Sequence, residues 1–131
     1  MATKKTNDLR EQRRLENRWV FEQANRLMAE EDMSRKVAFR QANLTKELLG
    51  HLGQGVVTFE YKKQDGTLRT ARGTLCHGVS AAYDAYEYKG DRRRKSDDES
   101  NFTYWDLDRE AFRTFRAETV VRIIEIEKMR E

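Results

Sequence analysis

The sequence predicts an α+β chain, with helical segments first and then five antiparallel strands bent into one small β-barrel. Three observations carry this. Up to about residue 50 the apolar residues recur at helical spacing, with no proline anywhere in the chain and no glycine before Gly50. After Gly55 the period changes to two. Asp65-Gly66 and Gly73 then fall where a small barrel must turn and bend.

The helical part comes first. From Asn7 to about Asp32 the chain is rich in Arg, Glu, Gln, Leu and Ala. Leu15, Trp19, Val20, Ala24, Leu27 and Met28 draw a stripe along it. Leu9 to Leu15 is too charged to continue that stripe and reads as a solvent-exposed extension. Ser34 is a suitable N-cap for a further helix, because its hydroxyl can accept from free N–H groups of the first turn. That helix is expected over about Arg35 to Leu49, with Gly50 as its left-handed cap. One bent helix or two separate ones fit the sequence equally. This gives a helical segment over 1–54 and a barrel over 55–131.

Val57, Phe59 and Tyr61 alternate with Thr58, Glu60 and Lys62, which makes a half-buried strand. Asp65-Gly66 turns it into a return strand, Leu68 to Leu75, with Gly73 as an internal bend. Cys76 to Ser100 reads as a long irregular loop. It holds Tyr83, Tyr86 and Tyr88, the basic run Arg92-Arg93-Arg94-Lys95, and the acidic run Asp97-Asp98-Glu99. Strands resume at Asn101 to Leu107, at Phe112 to Arg116, and in the β-branched run Val120 to Ile126.

Composition sets bounds on function. Hydrophobic residues make up 37% of the 131 and charged residues another 37%, so one modest core is all the chain can bury. A net charge of +3 permits contact with nucleic acid without requiring it. The single cysteine, Cys76, excludes an intramolecular disulfide and fits a reducing compartment. No apolar run approaches a membrane span, so a cytoplasmic protein without membrane contact is expected.

The second half matches a known pattern in three stretches. They are GVVTFEYKKQDGTLRTARGTL (Gly55–Leu75), FTYWDLDREAFRTFR (Phe102–Arg116) and VVRII (Val120–Ile124). Together they resemble a family of small Sm-like, SH3-type β-barrel proteins related to the WYL domain and spread through bacteria and phages. Phe112 stands where that family often has Trp. The resemblance implies a five-stranded SH3/Sm-like barrel and a bacterial or phage origin, in the latter case with the host cytoplasm as setting. It also implies a sensing or binding role, since WYL-type barrels are regarded as ligand- or nucleic-acid-sensing modules.

Candidate functional residues fall into two groups. The stripe Leu15, Trp19, Ala24, Leu27 and Met28 is a candidate docking face for a protein partner or a second copy, if the barrel leaves it uncovered. Arg113 and Arg116, with Arg69 and the run Arg92, Arg93 and Arg94, could grip phosphate or carboxylate, and Tyr104 and Trp105 could stack bases. The plainer alternative is that Arg113 or Arg116 pairs with Asp106 or Asp108 and locks the hairpin.

Catalytic and metal readings find little support. His51, Cys76 and His77 lack a convincing fourth ligand. Nothing beside Cys76 in sequence would lower its pKa. Gly50-x-x-Gly53-x-Gly55 follows a helix and opens a strand, the reverse of a phosphate loop. Asp106 and Asp108 flank a turn, with no cleft implied. The expectation is a non-enzymatic interaction module, without cofactor or metal, that docks or self-associates through its N-terminal helix. The alternative is a nucleic-acid- or nucleotide-binding barrel using the arginine and aromatic strand.

Overall fold

The computed structural model describes residues 4–86 and 101–129. Two helices come first, α1 (Lys4–Glu30) and α2 (Arg35–Leu52). They are separate. Glu31 N–H closes the end of α1 on Leu27 O at 2.9 Å, and Asp32 takes a left-handed φ of 56°. Ser34 caps α2 as its position suggested, with Oγ accepting from Val37 N–H at 3.3 Å.

Gly50 is not the cap that the sequence suggested. Helix α2 runs through it to Leu52, and the Gln54 N–H to His51 O bond, 3.0 Å, closes the end. The energetics explain the extension. A glycine inside a helix costs about 1 kcal/mol, whereas full burial of a leucine returns about 1.5–3 kcal/mol. Leu52 is fully buried, in the same core as Leu48.

The compact units accordingly divide within α2, as residues 1–43 and 44–131. In the first unit Val20, Ala24 and Leu27 of α1 and Ala38 and Ala42 of α2 are buried. Phe21 and Phe39 meet at a ring distance of 5.9 Å.

The second unit holds the end of α2 and one antiparallel sheet. Its strands are β1 (Gly55–Lys62), β2 (Leu68–Thr74), β3 (Asn101–Asp106), β4 (Ala111–Arg116) and β5 (Val120–Lys128), in the spatial order β4-β3-β2-β1-β5. A short helix α3 (Ala81–Ala85), N-capped by Ser80, interrupts the segment expected to be irregular. The β1–β2 turn is a Lys63–Gly66 reverse turn that ends on Gly66 at φ 89°, so of the Asp65-Gly66 pair only the glycine is left-handed. Asp65 Oδ1 accepts from the Thr67 N–H at 3.0 Å and from its hydroxyl at 2.7 Å, which holds the Asp65 carboxyl below its usual range.

The sheet bends sharply at β2. It pairs with β1 along its length but with β3 only at Gly73↔Asp106 and Thr74↔Trp105. Gly73 permits this crossing, since a Cβ there would lie 2.5 Å from Tyr104 Cδ2 and 3.1 Å from Trp105 O. Inside the bend Phe59 packs on Tyr61, Tyr104 and Phe115 at ring distances of 5.2–5.7 Å. Closure is where the fold departs from a strict barrel. β4 and β5 are the two edges, joined by a 3-10 turn at Ala117–Thr119, and the ladder does not close between them. Register shifts in the β1–β5 pairing leave Ile124 and Val121 opposite no single β1 residue. Such bulges blunt an exposed edge.

Candidate functional site

Side chains from both faces of the edge strand β4 converge with those of the β1–β2 hairpin. The end of β1, its turn, β2 and β4 border an open groove of about 590 Å³. Five cations line it: Lys62, Lys63, Arg69, Arg113 and Arg116. Asp65 is its one acidic lining residue among the described residues, and Asn101, Thr114 and Thr119 add neutral polar groups.

The three described arginines proposed from sequence therefore meet in one place. Arg69 comes from β2, while Arg113 and Arg116 come from β4. Lys62 and Lys63 were not singled out from sequence, although they stand in the Lys-Lys-x-Asp-Gly stretch that makes the turn. The stretch was legible as a shape, and its two positive charges were the unused signal. Arg92, Arg93 and Arg94 lie outside the described residues.

The cations differ in how they are held. Arg113 Nε lies 3.1 Å from Asp106 Oδ2, off the line of its own N–H, so the contact is an ion pair without a linear hydrogen bond. Asp106 is buried and in turn accepts from the Asp108 and Arg109 N–H groups through Oδ1, at 2.9 and 3.1 Å. The plainer reading of Arg113 therefore holds: it locks the β3–β4 hairpin. Arg113 also lines the groove, and an arginine held through Nε still has four terminal N–H donors. Arg116 Nε donates to Glu118 Oε2 at 2.6 Å. Arg69, Lys62 and Lys63 have no ion pair among the described residues.

Two aromatic candidates require correction. Tyr104 is fully buried and Trp105 95% buried, so neither is a stacking platform. Tyr104 faces the core, where its hydroxyl lies 2.9 Å from that of Tyr61. Burial first, and then the Tyr61 hydrogen bond, push the Tyr104 hydroxyl well above its ordinary pKa. Trp105 lies on the opposite face of β3, covered by Phe112 at a ring distance of 4.9 Å and Tyr83 at 5.7 Å.

The helical docking stripe also changes. Ala24 and Leu27 are buried, so they are structural positions and present nothing to a partner. Trp19 and Met28 are half-buried at its margins. Leu15 is exposed, as are Leu9 and Phe21, but these three lie about 120° apart around the helix and share no face.

The fold agrees with a known family. A model described as WYL_2, Sm-like SH3 beta-barrel fold, matches residues 45–121, more than half of the chain. The chain belongs to the WYL_2 family. The WYL_2 stretch takes in the last turns of α2 with Leu48 and Leu52, and every groove residue from Tyr61 to Thr119. Helix α1 lies outside it. No curated protein and no solved structure matches the chain. A WYL_2 domain with an open groove is a binding module, and no described helix is long and apolar enough to cross a membrane.

Proposed function

We propose that this protein is a non-enzymatic binding module whose groove holds the phosphate backbone of a nucleic acid. The observation that carries this reading is the convergence, among the described residues, of five cations on one open groove with a single acidic lining residue. Phosphates suit such a surface. Arginine guanidinium matches phosphate oxygens bidentately, and lysines supply point charge without demanding a fixed geometry. A protein partner at the N-terminal helix is less well supported, because Ala24 and Leu27 are buried and the exposed apolar residues of α1 share no face.

The test is charge reversal at a groove position that has no ion pair among the described residues. Arg69→Glu should lower oligonucleotide affinity by about tenfold or more in a mobility-shift titration at low salt, since each phosphate contact contributes a salt-sensitive share of binding. The melting temperature should stay near that of the unmodified chain. Unchanged affinity, or no shift of DNA or RNA by the unmodified chain, would remove this reading.

A further inference from the structure

The groove has a neighbour of different chemistry on the same strand. Side chains alternate along β4, so Phe112, Thr114 and Arg116 share one face. Arg116 and Thr114 line the groove from this face, whereas Arg113 and Arg69 reach it from the face of Tyr104 and Tyr61. Phe112 lies four residues away from Arg116, about 13 Å along the strand.

Phe112 is the centre of an aromatic ledge. It stands edge-on to Trp105 at 4.9 Å and to Tyr86 at 4.9 Å, with Tyr83 at 6.1 Å. His77 stacks on Tyr83 at 5.0 Å. Phe112 is 38% exposed and Tyr86 48% exposed, so open ring surface remains on both.

The ledge is held in place. Ser80 Oγ accepts from the Tyr83 N–H at 3.2 Å and caps α3. Asp84 accepts from the Gly78 N–H through both oxygens, at 3.1 and 3.0 Å, and lies 3.2 Å from His77 Nδ1. These bonds fix the turn that carries Tyr83 and Tyr86 beside Phe112, which reduces the ordering cost of a ligand landing there.

We propose that Phe112 and Tyr86 form a base-stacking site, and that the nucleic acid taken by this protein is single-stranded. This rests on the groove reading given above and adds the strand class to it. A duplex hides its base faces in the stack and would present only phosphates to this surface. A single strand can lay its backbone in the cationic groove, cross the edge strand β4 at Thr114 and Arg116, and turn bases onto the ledge on that outer face, a pairing of charge and ring surface typical of single-strand binding. A mononucleotide is too short to span both.

The experiment compares probes of equal charge on the full chain. Fluorescence anisotropy would measure binding of an oligothymidylate, an abasic oligodeoxynucleotide of the same length, and a duplex of the same phosphate count. The proposal expects oligothymidylate to bind about fivefold or more tighter than the abasic strand for each base that stacks. The duplex should bind like the abasic strand or more weakly. Phe112→Ala with Tyr86→Ala should erase the advantage of the thymidylate and leave the abasic affinity unchanged. Equal affinity of the unmodified chain for thymidylate and abasic strands overturns the ledge while the groove reading stands. Binding of neither strand overturns both.

Discussion

Gly73 and the Tyr61–Tyr104 pair show how far the fold depends on single atoms. At Gly73 a Cβ would meet the Tyr104 ring and the Trp105 carbonyl, neither of which can move without disturbing the core or the ladder. Gly73→Ala should therefore cost about 1–3 kcal/mol in a urea titration, the range for overpacking. The Tyr61–Tyr104 hydroxyl pair gives a second prediction. Tyr61→Phe leaves a buried hydroxyl with its main partner gone and should cost about 1–3 kcal/mol, while the double change with Tyr104→Phe should cost less than the sum of the two single changes.

The pair also sets an alkaline limit. A tyrosine in the unfolded chain ionises near pH 10, whereas the Tyr104 hydroxyl is held neutral above that value by burial and by Tyr61. Its contribution is therefore complete below about pH 10 and falls as pH rises through and beyond that value. Urea midpoints on either side of that pH should show the loss, and Tyr104→Phe should reduce it.

At the scale of elements, the strands and the β1–β2 turn were legible, and the end of α2 and the short helix α3 were not. All five strands fall where the sequence put them, β1 and β4 by alternation, β2 by the turn before it, and β3 and β5 by their aromatic and β-branched residues. Gly50 misled locally, since its cost as a helix residue is visible in sequence and the burial of Leu52 that outweighs it is not. Leu52→Ala should cost about 2–5 kcal/mol in chemical unfolding, a value that a residue beyond the end of a helix and outside the core would not reach. Helix α3 is too short for a periodic signal, and only Ser80 marks its start. In the groove, Arg69, Arg113 and Arg116 could be named from their types and positions. The burial of Tyr104 and Trp105 could not, because which face of β3 is covered depends on the bend at Gly73 and on the aromatic residues that pack over Trp105.

For the whole molecule, composition turned out to be a poor guide to site chemistry. A net charge of +3 on 131 residues is slight, yet five cations meet in one groove. The excess is local, and local field is what a charged ligand meets. Arg113 and Arg116 are partly neutralised by Asp106 and Glu118, which leaves Lys62, Lys63 and Arg69 as the cations that displace counterions most fully. About three such contacts on a single strand predict a slope near −2 in a plot of log affinity against log salt. That titration tests the central claim most directly. An oligonucleotide bound at low salt should be released along a slope of about −2, and the slope should shrink for a Lys62→Ala, Lys63→Ala variant. Binding that does not change with salt, or a slope unaltered in that variant, would contradict the account.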